Sequence, residues 1–203
     1  MKLFILTLMF LLTVKGQSSV VSPIGYVVTP QGFGSSRFLV VTPENGSTKK
    51  NSTTCFEVQS DGKLRKLWEL PWYAPRGYVY LHQDGKTVLR LHQIEIYAKT
   101  PQEDYGSKIA LSFYQDGIFL KSISVNFIVK DLKFIDWSNK YFLPVENVWS
   151  SRRFSMEEMG FVIFDETLEN KLRKEPIFRI LSVDGHNLYF GSAGRLVSRV
   201  KRK

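Results

Sequence analysis

From Phe56 onward the chain repeats one pattern: a run of apolar or aromatic residues, an Asp-Gly pair, and a second such run. The pairs fall at Asp61-Gly62 in "FEVQSDGKLRKLWEL", Asp84-Gly85 in "YVYLHQDGKTVLRL", Asp116-Gly117 in "LSFYQDGIFLKSI" and Asp184-Gly185 in "RILSVDGHNLYFG". Asp-Gly between such runs predicts a β-hairpin, because a type I′ turn needs positive φ at both central residues. Four hairpins predict an all-β fold, an antiparallel meander of Asp-Gly hairpins. The pairs lie 23, 32 and 68 residues apart, so no strict period exists.

Upstream, Tyr26–Val28 and Arg37–Val41 read as strands, and "TPENGSTKKNSTT" (42–54) as a polar loop. "GSAG" (191–194) reads as a turn between strands. One short helix is predicted near 166–175 in "DETLENKLRKEP". Asp165 caps it, Leu168 and Leu172 share a face, and Pro176 stops it. "SMEEM" offers a capping box from Ser155 and Glu158.

The hairpin around Asp84-Gly85 can be laid out residue by residue. With those two as the loop, Leu81 pairs with Val88, Tyr80 with Leu89, Val79 with Arg90 and Tyr78 with Leu91. One face carries Tyr78, Tyr80, Leu89 and Leu91; the other carries Val79, Leu81 and Val88. Both are apolar, which predicts a hairpin covered on both sides. His82 falls on the tyrosine face near the turn, and His92 on the opposite face at the far end. The two therefore cannot share a metal ion.

The N-terminus stands apart. A basic Met1-Lys2, an apolar run from Leu3 to Val14 and a small residue at Gly16 predict a secretory signal peptide over residues 1–16. The run is shorter than the roughly 20 apolar residues that span a bilayer. Residues 17–203 then form a single mainly-β domain, secreted or periplasmic. Its one cysteine, Cys55, has no internal disulfide partner. Extracellular animal domains of this kind usually carry several disulfides, which favours a bacterial envelope. Asn45-Gly46-Ser47 and Asn51-Ser52-Thr53 are acceptor triplets wherever the host glycosylates. Cys55 reads as a small buried hydrophobe, with a bridge between chains as the alternative.

The formal charge is +9, and loss of Lys2 and Lys15 with the leader leaves it near +7. Much of the excess sits in a basic C-terminal tail, about 195–203, which holds Arg195, Arg199, Lys201, Arg202 and Lys203 and no acid. Such a tail suits an anionic glycan, lipid or lipopolysaccharide surface; nucleic acid is disfavoured. The plain alternative is a frayed, solvated end.

Catalytic and metal chemistry find little support. "GFGSSR" (32–37) lacks the Gly-x-Ser-x-Gly form and no helical pattern follows it. No HxH, HExxH or CxxC spacing occurs. Neither glycine run opens a helix that would cradle a phosphate. The reading is therefore no catalytic residue, no metal site and no cofactor. Trp72, Tyr73 and Arg76, on the link stiffened by Pro71 and Pro75, remain as a candidate binding group that would stack on a ring. Against that stands Trp68 and Trp72 plugging the gap between adjacent hairpins, and Trp137 and Trp149 share the ambiguity.

"SDGKLRKLWELP" followed by "GYVYLHQDGKTVLRL" resembles the blade junctions of β-propeller repeats of the quinoprotein and WD type. The stretch from Asp84 to Leu132 is also similar to segments of uncharacterised secreted bacterial proteins. The resemblance covers Phe56 to Leu132, with an echo at 180–197, and implies propeller-like packing first and a β-sandwich second. It carries no functional residue. The irregular spacing supports two blades, whereas a propeller takes at least four. The expectation is a non-enzymatic, secreted or envelope binding or interaction protein that meets anionic surfaces. The alternatives are a carbohydrate-active enzyme using two carboxylates, and a structural subunit of an extracellular assembly.

Overall fold

A computed structural model describes residues 24–30, 35–44, 50–97, 102–151, 177–191 and 193–202. The leader, Asn45, the 155–158 box, the helix expected near 166–175 and Lys203 lie outside the described residues.

The described chain is dominated by strands in antiparallel pairs. The first sheet is β1 (Tyr26–Val28), β2 (Arg37–Thr42), β3 (Ser52–Val58) and β4 (Leu64–Leu70), in that order. The second holds β5 (Val79–Leu81), β6 (Thr87–Leu91), β8 (Ile109–Gln115) and β9 (Ile118–Ser124). Between them, β7 (Ile94–Glu95) leaves to pair with β10 (Tyr141–Phe142). The single-turn helix α1 (Val125–Ile128) follows β9. The third sheet is β11 (Val145–Ser151), β12 (Ile177–Ser182), β13 (His186–Gly191) and β14 (Leu196–Lys201). Each meander has the strand count and order of one propeller blade. Three are described, whereas a propeller takes at least four.

The second sheet lies between the other two. Val79, Leu81, Val88 and Tyr114 pack with Leu39, Cys55 and Leu70 of the first sheet. On its opposite face Leu89, Leu91, Leu111 and Phe113 pack with Val148, Phe178, Ile180, Leu188 and Phe190 of the third. The pairing of Val79 with Arg90, Tyr80 with Leu89 and Leu81 with Val88 is the one the alternation predicts. Two apolar faces on one sheet are satisfied only by cover on both sides, and each fully buried large side chain contributes about 1.5–3 kcal/mol. His82 is 0 % exposed, with its ring edge-on to Phe178 at 5.5 Å between centroids, while His92 lies on the other face.

The turns require a correction. Among the described residues other than glycine only Asp116 has positive φ, at 48°, and with Gly117 at 80° it forms the two-residue loop expected of all four. At the other three sites the glycine alone has positive φ, and its N–H closes the turn onto the carbonyl three residues back: Gly62 to Gln59, Gly85 to His82 and Gly185 to Ser182, each 2.9 Å. The reason lies in the aspartates. Asp61 Oδ1 accepts the N–H of Lys63 at 3.0 Å, and Asp84 Oδ1 accepts those of Lys86 and Thr87 at 2.8 and 2.9 Å. Such side-chain bonds stabilise longer loops as readily as short ones.

The basic tail is corrected as well: residues 196–201 are strand β14, with His186 opposite Lys201 and Leu188 opposite Arg199. Pairing with β13 replaces a frayed end with an ordered strand.

One turn joins two sheets. A Cβ on Gly117 would meet Trp68 Cβ and Cγ at 2.8 Å, and Asp116 accepts a hydrogen bond from Arg37 Nη1 at 3.0 Å. Gly117→Ala combines a left-handed backbone with a steric clash and should cost about 2–5 kcal/mol in urea unfolding. Gly62→Ala, with the same sign of φ but open space around it, should cost only about 1–2 kcal/mol. Equal losses would show that the contact with Trp68 is unimportant.

Candidate anion-binding surface

The β12–β13 turn gathers charge from two distant parts of the chain. Asp184 Oδ2 accepts the backbone N–H of Lys130 at 2.7 Å, across 54 residues. Its Oδ1 takes the Ser182 hydroxyl and His186 Nδ1, the latter at 3.0 Å. The Ser182 oxygen in turn accepts the His186 N–H at 3.1 Å. The carboxyl is buried, which alone would raise its pKa. The Ser182, His186 and Lys130 hydrogen bonds outweigh that and hold it below the ordinary carboxylate range. A buried, bonded carboxylate of this kind is a staple between the third sheet and the segment after α1.

Cations surround the staple. Arg202 donates its backbone N–H to the Gly185 carbonyl at 2.8 Å. Lys201 pairs with His186, so the two side chains share a face. Arg199, two residues earlier, shares it too and donates to the Phe127 and Ile128 carbonyls at the end of α1, the second at 3.3 Å. Burial lowers its pKa, with Asp184 opposing the shift. Lys130, Lys201 and Arg202 are exposed, and no side-chain bond to a described residue engages them. The neighbouring Lys133 is paired with Asp131 at 2.6 Å. Lys130, Arg199, Lys201 and Arg202 against Asp184 leave the turn strongly positive.

Thus Arg199, Lys201 and Arg202 of the expected tail group come together, and Arg199 serves structure as well as charge. Arg195 is exposed beside the turn at 193–194. Lys130, Asp184 and His186 were missed. The hint was the Asp-Gly-His run beside a basic strand; the contact with Lys130 leaves no local trace.

Trp72, Tyr73 and Arg76 do not form one open face. The Trp72 indole lies 5.5 Å from the Tyr114 ring and under the Arg90 guanidinium, 4.5 Å from its centroid. Tyr73 meets Tyr26 edge-on at 6.3 Å, and its carbonyl accepts from Arg90 at 3.3 Å. Arg76 is exposed. Trp68 and Trp72 are partly buried and pack against the core between the first two sheets. Trp149 likewise lies under Arg179, at 4.2 Å, and Trp137 packs against Tyr105 and Phe142.

Cys55 is free and 0 % exposed, and burial, its largest influence, pushes its thiol up to about 11. A bridge between chains would require unfolding the first sheet. His82, His92 and His186 occupy three separate environments. Among the described residues no three His, Cys, Asp or Glu side chains gather as metal ligands would, and no helix is long and apolar enough to cross a membrane.

The fold and this surface define a mainly antiparallel β protein with a basic turn stapled by a buried carboxylate. Compared with known proteins, the chain matches no family model and no curated protein.

Two outcomes follow. Asp184→Asn should destabilise the protein by about 2 kcal/mol at pH 7. Because the folded carboxyl titrates below its unfolded value of about 3.9, the stability it contributes is present above that pH and lost as the pH falls through the folded pKa. Melting curves of wild type and variant should therefore converge in acid; a gap independent of pH refutes the staple. Separately, Cys55 should react with a thiol reagent only after denaturation, and a non-reducing gel should show monomer alone.

Proposed function

We propose that the protein is a secreted or envelope, non-enzymatic binding protein that engages an anionic surface through the basic turn. The observation that carries this reading is the convergence of Lys130, Arg199, Lys201 and Arg202 on the Asp184-Gly185 turn. The cations of the β3–β4 hairpin, by contrast, are paired. On the first sheet Lys63 pairs with Asp61 at 3.1 Å, Arg65 with Glu57 at 2.5 Å, and Lys66 with Glu69. Paired cations present little net field, whereas unpaired ones on one rim attract polyanions and do so less as salt rises. The two-carboxylate alternative gains nothing from the tryptophans, since Trp72 and Trp149 are each covered by an arginine.

Retention on a heparin column should be strong at low ionic strength and fall steeply with salt. Replacing Lys130, Lys201 and Arg202 together with glutamate should move elution to markedly lower salt. Replacing Lys63 and Lys66 with alanine should change it little. Salt-indifferent retention, or equal shifts from both sets, overturns the assignment.

A further inference from the structure

An open cleft of about 560 Å³ lies where β7 leaves the second sheet, lined by His92, Gln93, Glu95, Tyr97, Lys108 and Ile109 among others. That volume is in the range of small-ligand sites. Tyr97 is its most telling member. The residue is 57 % exposed, yet it is tied down at its backbone and at its hydroxyl. The buried Tyr105 hydroxyl accepts the Tyr97 N–H at 2.6 Å and donates to the Tyr97 carbonyl at 3.2 Å. The Tyr97 hydroxyl donates to Glu95 Oε2 at 3.0 Å, and Lys140 holds Glu95 Oε1 at 3.3 Å. The Glu95 hydrogen bond, with its charge, raises the phenol pKa and keeps it protonated. An exposed aromatic ring fixed at backbone and hydroxyl loses little entropy when a ligand stacks on it.

Polar groups stand around the ring. His92 Nε2 is bonded to Ser112 Oγ at 2.8 Å, and Ser112 to Ser122 at 3.3 Å. Burial, and then Arg90, lowers the His92 pKa to about 4, so the imidazole is neutral at ordinary pH. Its Nδ1 has no bond to a described residue. Gln93 and Lys108 are exposed, and no side-chain bond to a described residue engages Lys108. An aromatic platform, a neutral imidazole, an amide, a carboxylate acceptor and one unpaired ammonium suit a hydroxyl-rich ring that carries an anionic group.

The cleft adjoins the basic turn. The Lys108 carbonyl accepts the Val125 N–H at 2.9 Å at the start of α1, and Arg199 binds the carbonyls at its end. Four helical residues rise only about 6 Å. The two regions are thus joined through α1.

We infer that the cleft is the ring-binding subsite of the anionic surface, and that its ligand is an acidic glycan whose sugar ring stacks on Tyr97 while its carboxylate meets Lys108. This rests on the proposed function and names its ligand class.

The test uses the full mature chain at low salt, with tetragalacturonate as the acidic probe, the matching neutral galactose tetramer, and phosphatidylglycerol vesicles. Tetragalacturonate should shift the amide resonances of 92–97 and 107–109, and the neutral tetramer should bind at least tenfold more weakly. Tyr97→Ala should weaken binding about tenfold. Tyr97→Phe, which keeps the ring, should bind within about threefold of wild type, and Lys108→Glu should abolish the preference for the acidic tetramer. Binding of Tyr97→Ala to the phosphatidylglycerol vesicles should match wild type, which separates the cleft from the basic turn. Resonance shifts confined to the β12–β13 turn, equal affinity for both tetramers, or an unchanged Tyr97→Ala overturns the inference while leaving the anionic-surface reading standing. Perturbation of 92–97 by the vesicles rather than the tetramer overturns the glycan assignment.

Discussion

Cover on both faces of the second sheet is the constraint from which the rest of the structure follows. Its strands present Val79, Leu81 and Val88 one way and Leu89, Leu91 and Phe113 the other. Neither row can face water, so a sheet must stand on each side. Stacking brings hairpin tips against neighbouring layers, and the tips lock the layers together. Asp116-Gly117 reaches Arg37 and Trp68 of the first sheet, and Asp184 reaches the segment leaving the second. In both places the Asp-Gly pair supplies a tight turn and a carboxylate in one step.

The two carboxylates differ in kind. Asp116 is half exposed and shares Arg37 with Glu57, so solvent screens the interaction and it contributes little alone. Asp184 is buried and fully bonded, and its loss would strand a backbone N–H, a hydroxyl and an imidazole together. The same sequence element therefore serves as a weak positional latch at one site and a strong staple at the other. What separates them is burial, which a tetrapeptide does not encode.

That difference marks how far the sequence could be read. Alternation along Tyr78–Leu91 specified strand pairing and the sides of the sheet, because a slip of one residue would turn every apolar group outward. The dominance of strands and the hairpin positions followed from the same signal. Turn geometry did not, because Asp61, Asp84 and Asp184 choose between loop lengths through hydrogen bonds to residues beyond the pair. The basic tail was legible as charge but not as β14, whose apolar and basic residues alternate too loosely to announce a strand without β13 beside it. The link Trp68–Arg76 showed its aromatics but not Arg90, which lies over Trp72 from another hairpin. The Lys130–Asp184 contact and the Tyr105 clamp on Tyr97 have no sequence signature at all.

The same physics explains why the surface chemistry collects at one edge. On the first sheet Lys63, Arg65 and Lys66 find Asp61, Glu57 and Glu69, each within the β3–β4 hairpin. Strand β14 has no such supply: its neighbour β13 is apolar except near the turn, and the acid that does arrive, Asp184, is spent on backbone and imidazole. Cations with no local acid either turn inward to carbonyls, as Arg199 does, or remain in solvent, as Lys201 and Arg202 do. The cations that β14 leaves in solvent thus concentrate at one end of the sheet the field that an anionic ligand would meet.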